Sequence, residues 1–177
     1  MARMRHPQHI LRPAKGSFIA MSLLLALCLE LLPLGPLFWR PDVLLVVLTF
    51  WALYQPSRVG IVIAFILGLA MDVHSASLLG QHALAYIVVV SWVQASRNRI
   101  LWYQTGIQQG VLLLVPFAIA AALQAMTGWI SSRELPHLSI VVAVLLEAAL
   151  WPFIRRLLLA PQMGIAIDNE RAGNDRF

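Results

Sequence analysis

The sequence predicts an all-α membrane protein, a six-helix transmembrane bundle with two short central spans. Three observations carry that expectation. First, the 177 residues are 60% hydrophobic and 12% charged, with a mean hydropathy of +0.78, whereas a soluble domain is roughly one quarter charged. So few charges cannot cover the surface of a water-soluble chain this long, and lipid is the expected solvent. Second, the apolar residues fall into runs bounded by Pro, Gly and charged residues. Third, the basic residues cluster at the ends of those runs, as the positive-inside rule expects.

The length allows one membrane domain and no sizeable soluble one. The expected organisation is a basic cytoplasmic tail over residues 1–16, a transmembrane domain over 17–160 and a polar cytoplasmic tail over 161–177. A net charge of +5 could suggest nucleic acid, but basic patches interleaved with aromatics are missing, so no such partner is expected. Cys28 is the single cysteine, which excludes an internal disulfide and a Cys-based metal cluster. Between Leu27 and Leu29, it reads as a buried small apolar residue.

Arg3, Arg5, Arg12 and Lys15 mark a tail lying near anionic headgroups. The first span is read over 17–32. No A-x-A-like cleavage site follows it, so it is expected to remain as a helix. Glu30 is expected at the interface or facing a neighbouring helix. Pro33, Gly35 and Pro36 then break the chain, and Phe38 and Trp39 suit an aromatic belt.

The central stretch RPDVLLVVLTFWALYQPSRVGIVIAFILGLAMDVHSASLLGQHA organises the rest. Its apolar runs, 43–54 and 59–71, are short: residues 41–56 make about 22–24 Å of helix against a hydrocarbon core of about 30 Å. They could be two short spans, a re-entrant hairpin, or one span kinked at Pro56. Charge tests the last option. With six crossings and a cytoplasmic N-terminus, eleven Lys and Arg lie inside and only Arg40 and Arg133 outside. Five crossings would move Arg97, Arg99 and the C-terminal group outside, so the count is even. The hairpin stays open, because it changes only the side of Arg58. Asp42 is expected to cap the first of these helices, and Pro56 to stop it.

A fourth run, 84–93, begins near Leu78 or Gln81 and ends at Arg97, Asn98 and Arg99, a cytoplasmic turn flanked by Trp92 and Trp102 as interfacial anchors. The fifth, 106–130, contains Pro116, which should kink it. The sixth, 138–159, carries Glu147 near its centre and Trp151-Pro152 towards its end, with Arg155 and Arg156 able to snorkel. The tail from Pro161 reads as polar and disordered.

Few residues invite a chemical reading. A charged side chain at mid-membrane costs roughly 2.5–3.5 kcal/mol on insertion scales, so Glu147 should be neutral, paired or facing a polar cavity. The expected arrangement is a neutral carboxyl bonded to Gln124 or to a backbone carbonyl; the alternative is a ligand or partner contact inside the bundle. Asp72, His74 and His82 could suggest a metal, but their spacing fits no common zinc pattern. Asp72 is expected instead to end one helix and meet Arg40 or a backbone amide. Gly60, Gly68 and Gly80 should allow close helix approach, and Gly68 and Asp72, one turn apart, should face the bundle. No G-x-S-x-G elbow and no phosphate-binding loop is present. No catalytic residue, cofactor or metal is expected.

Several of these segments together resemble the rod shape-determining protein MreD family. They are Arg40-Pro41-Asp42, Phe50-Trp51, Pro56-Ser57-Arg58-Val59-Gly60, Gly68 with Asp72, Ser77-Leu78-Leu79-Gly80 with Leu84, and Leu150-Trp151-Pro152. The similarity spans about residues 18–160; Glu147 matches no part of the family pattern. The resemblance implies a multi-pass inner-membrane protein of the cell-wall elongation machinery, and the charge distribution puts both termini in the cytoplasm. It would bind the bitopic protein MreC, and through it couple MreB filaments to the glycosyltransferase RodA and its partner transpeptidase. Such a protein is a scaffold, not an enzyme. The family is also similar in helix plan to the substrate-binding subunits of energy-coupling-factor transporters. The alternative expectation is therefore a small-molecule-binding membrane subunit, with Glu147, Gln124, Gln108 and His74 as candidate contacts.

Overall fold

The structure is a computed structural model that describes residues 15–32, 40–132 and 139–174, the last fourteen of these by backbone alone. Among the described residues there are seven helices: α1 (Gly16–Glu30), α2 (Val43–Tyr54), α3 (Ile61–His74), α4 (Gln81–Ala95), α5 (Arg97–Trp102), α6 (Gly106–Ser132) and α7 (Ser139–Asn174). The described residues are thus all-helical as expected, with one helix more than the six read from sequence. The turn expected at Arg97–Arg99 is itself the short helix α5. Residues 1–14 of the basic tail and the Pro33–Trp39 break lie outside the described residues.

Each outer helix buries one stripe. In α1 the buried positions are Ile19, Leu23, Ala26 and Glu30; in α7 they include Val144, Glu147, Trp151, Ile154 and Leu158. These steps of three and four residues keep one face turned inward. The opposite faces are just as apolar: Met21, Leu24, Leu25, Val62, Phe65, Ile66, Val111, Val115, Val141 and Leu145 are all exposed. In water such a surface would be a vast sticky patch; in hydrocarbon it is ordinary.

α2 differs, being buried on every side over residues 44–53. It packs against α1, α4 and α7, while α3 packs on α4, α4 on α6, and α6 on α7. Trp51 and Trp151 are fully buried, and Phe50 stands between them in ring contact with both. At 12 residues, α2 is about 18 Å long. Pro56 and the turn to Gly60 separate it from α3, which removes the single kinked span. Among the described residues only Gly106–Thr127 is by itself long and apolar enough to cross a membrane; α1, α2 and α3 are apolar but shorter.

Several local expectations change. Asp72 and His74 lie in the last turn of α3, with Asp72 near the helix end as expected. Cys28 is exposed, because it sits on the outward face of α1 with Leu24, Leu25 and Leu29. Pro161 does not end α7, which runs on to Asn174; Gln, Met, Ala, Glu and Arg in that segment are good helix formers despite their polarity. Of the three glycines expected at close contacts, only Gly68 is one, since a Cβ there would come 2.4 Å from the Ala83 Cα. A Cβ at Gly60 meets only the Pro56 carbonyl at 4.0 Å, and one at Gly80 meets open space. Gly80 is needed for its φ of 101° instead. Gly110 makes the second close approach, against the Ala148 carbonyl.

Candidate functional site

A helix that begins inside a bundle presents unpaired backbone N–H groups, and burial makes each costly to leave unpaired. α2 begins this way, and three carboxylates from three segments meet its amides. Asp42 Oδ1 accepts from the Leu45 amide at 2.8 Å, the expected N-cap. Glu30 Oε1, from the end of α1, accepts from the Val43 amide at 2.7 Å. Glu147 Oε1, from the third turn of α7, accepts from the Asp42 amide at 3.2 Å. The second Asp42 oxygen accepts from the Tyr86 hydroxyl at 2.6 Å. The partner expected for Glu147 was Gln124 or a carbonyl. The amide of Asp42 replaces it, because the short α2 starts level with the third turn of α7.

Arg40 completes the cluster. Its guanidinium lies 3.0 Å from Glu30 Oε2 and donates to the Leu29, Glu30 and Leu32 carbonyls. It therefore closes the end of α1 while Asp42, two residues on, opens α2. Pro41 between them has no N–H to satisfy.

A second polar knot lies at the α3–α4 turn. Asp72 is 1% exposed, so its charge must be met by donors. It accepts from the backbone amides of Gly80 (2.8 Å), His82 (2.7 Å) and Ala83 (3.4 Å) and from the Ser77 hydroxyl (3.2 Å). His82 Nδ1 lies 2.9 Å from the same carboxylate. Asp72 thus caps the start of α4 from a different helix, in the amide-binding role expected for it, though without Arg40. This gives the Ser77–Gly80 segment its reason: the serine donates, and the left-handed glycine turns its amide inward. His74 is exposed and outside this knot, and among the described residues no three of His, Cys, Asp and Glu could hold a metal ion.

At the other end of α2, side-chain donors meet the carbonyls of the last turn and of the turn that follows. Arg97 Nε donates to the Leu53 carbonyl at 2.9 Å, and Gln94 to the Val59 carbonyl at 3.0 Å. Arg155 bonds the Tyr54 hydroxyl at 3.0 Å and the Gln104 carbonyl. Trp151 donates to Gln109 at 3.4 Å, and Pro152 packs beside Gly106. Arg58 is exposed on the turn after Pro56. Trp102 is exposed as an anchor would be, while Trp92 is packed against the core.

Cavities lie at the start of α2 and between α1 and α3. One, of about 330 Å³, opens at the carboxylate cluster and is lined by Glu30, Arg40, Asp42, His82, Gln124 and Glu147 among others. The second, of about 400 Å³, is an apolar groove between α1 and α3, lined by Leu23, Leu24, Leu27, Ile63 and Leu67 with Arg58 at one end. Sequence reasoning named Arg40, Asp42, Asp72 and Glu147 and grouped His82 with Asp72 only as a metal reading, yet missed that Glu30 and Tyr86 join Asp42 and that His82 bonds the Asp72 carboxylate. The spacing along each helix held no sign of those pairings.

Comparison with known proteins gives a family match over most of the chain. The family model for rod shape-determining protein MreD matches residues 15–160. A rod shape-determining protein MreD from Haemophilus influenzae is 31% identical over 138 residues, covering 73% of this chain and 81% of the relative. No solved structure matches.

Proposed function

The chain belongs to the rod shape-determining protein MreD family, and from that premise we propose that it is a non-catalytic scaffold of the cell-wall elongation machinery in the bacterial inner membrane. Family membership itself ties it to rod shape determination. In our reading it crosses the membrane six times with both termini cytoplasmic. α2 and α3 are two short spans, and α5 lies at the cytoplasmic face. The Glu30–Asp42–Glu147 cluster and the Asp72 knot then lie towards the outer side, and Arg58, Arg97 and Arg155 towards the cytoplasm.

One observation carries the scaffold reading: the polar residues of the family-like motifs meet other parts of the same chain. Arg40 and Asp42 close helix ends, Asp72 holds a turn, and Trp151 bonds Gln109. Such residues shape a rigid body for others to bind. We assign the groove between α1 and α3 to the single span of MreC, because it is apolar along its length and α1 docks on α2 beside it. Through MreC the chain would couple MreB to RodA and its transpeptidase.

The test is replacement of the resident MreD in a rod-shaped bacterium by this chain. Rods should persist and MreC should co-purify. Leu24→Trp, which fills the exposed groove, should abolish co-purification without lowering the unfolding midpoint. Round cells with the intact chain, or undiminished MreC recovery with Leu24→Trp, would count against the reading and the groove respectively.

A further inference from the structure

We propose that the bilayer is thinned where it meets α3, so that this side of the protein is bordered by phospholipid with short or compressed acyl chains. The proposal rests on the reading of α2 and α3 as two separate spans, and adds what surrounds the second of them.

The first observation is length. α3 has 14 residues and is about 21 Å long, against a hydrocarbon core of about 30 Å. Tilt only shortens the depth that a helix covers. The outward face of α3 is apolar from end to end: Ile61, Val62, Phe65, Ile66 and Val73 are exposed. Exposed polar residues bound that face, Arg58 in the turn before it and His74 at its last position. Leu78 and Leu79 are exposed in the turn that follows, which suits the edge of the hydrocarbon and not open water.

The second observation is that α3 is pinned at both ends and cannot slide to make up the difference. Asp72 accepts from the amides of Gly80, His82 and Ala83, which ties the end of α3 to the start of α4. Gln94, near the end of α4, donates to the Val59 carbonyl just before α3 begins. Between these ties the α4 backbone at Ala83 lies close against Gly68. α4 itself has 15 residues, about 22–23 Å, so the two helices are short as a unit.

The third observation is a contrast within the molecule. The apolar stretch Gly106–Thr127 of α6 has 22 residues, about 33 Å, enough for an ordinary hydrocarbon core. α4 packs on both α3 and α6, so one bundle offers lipid two thicknesses. A bilayer adapts to a short apolar stretch by thinning beside it, and here the stretch that demands this is the one locked to α4.

The experiment uses the full chain in dioleoylphosphatidylcholine vesicles, with Cys28, the single cysteine, replaced by Ser. Spin labels are placed through Val62→Cys and Val73→Cys on α3, and through Ile107→Cys and Met126→Cys on α6; all four side chains are exposed. Collisions with oxygen, which dissolves in lipid, and with an aqueous nickel chelate give the depth of each label. Both labels of each pair should read close to the headgroups, although the α3 pair is only about 16–17 Å apart along its helix and the α6 pair about 28–29 Å. An α3 label at mid-hydrocarbon depth, with a reporter after Arg58 reading cytoplasmic, would overturn the thinning and leave the two-span reading intact. A periplasmic reporter would overturn that reading and the proposal with it. Labels on α3 shielded from both reagents would place a second copy of the chain there instead of lipid, and would also overturn the proposal.

Discussion

The Asp42 amide lies 3.2 Å from Glu147 Oε1, although the two residues are 105 positions apart in the chain. This contact fixes where α2 begins relative to α7, and so fixes the depth of the most buried helix in the protein. Replacing Glu147 by Leu removes the acceptor and leaves a buried N–H unpaired. The expected loss is about 1–3 kcal/mol, read as a lower midpoint of thermal unfolding in detergent. Glu147→Gln keeps a carbonyl facing the amide, so less than half of that loss is expected.

Asp72 and Ser77 act on one turn and should not be independent. Asp72→Ala strips the acceptor from three amides at the start of α4 and should cost about 1–3 kcal/mol. Ser77→Ala alone should cost less than 1 kcal/mol, about one neutral hydrogen bond. In the Asp72→Ala background Ser77→Ala should then be nearly silent, since contacting residues show coupling of about 0.5–3 kcal/mol. A double-mutant cycle on unfolding midpoints measures this.

Gly68 and Gly60 separate steric from merely local roles for glycine. A methyl at Gly68 would overlap the α4 backbone at Ala83 and His82, where no flexible side chain can yield. Gly68→Ala should therefore push α3 from α4 and cost about 1–3 kcal/mol. Gly60→Ala meets no such wall and should stay within about 0.5 kcal/mol. Rod-shape complementation should follow the same order, failing first for Gly68→Ala.

Arg97 and Arg99 are near neighbours with different expected weights. Arg97 holds the Leu53 carbonyl at the end of α2, and its loss to Ala should cost about 1.5–3 kcal/mol, the range for a hydrogen bond from a charged donor. Arg99 is exposed, and Arg99→Ala should change stability by no more than about 0.5 kcal/mol. Unfolding midpoints of the two purified variants decide the matter.

The topology is checked by reporters fused after Arg58 and after Arg133. The first should read cytoplasmic and the second periplasmic, from the distribution of Lys and Arg. A periplasmic signal after Arg58 would remove α2 and α3 as separate spans.

Much of this protein is set by short-range pattern. The position of α2 follows from Asp42, the apolar run and Pro56, and the inward face of α3 follows from Gly68 and Asp72 four residues apart. Those signals are local, because capping and helical periodicity act within one or two turns. What the pattern along the chain could not decide is which buried polar groups meet. Glu30, Asp42, Tyr86 and Glu147 come from four helices or their caps, and their meeting depends on how long each helix is and how deep it starts. The same holds for Asp72 with His82 and for Arg155 with Tyr54, and for the cavity beside Glu147. Each exists only once the helices are stacked, because an apolar helix face can bury itself against many neighbours, while a buried charge is stable only where particular donors surround it.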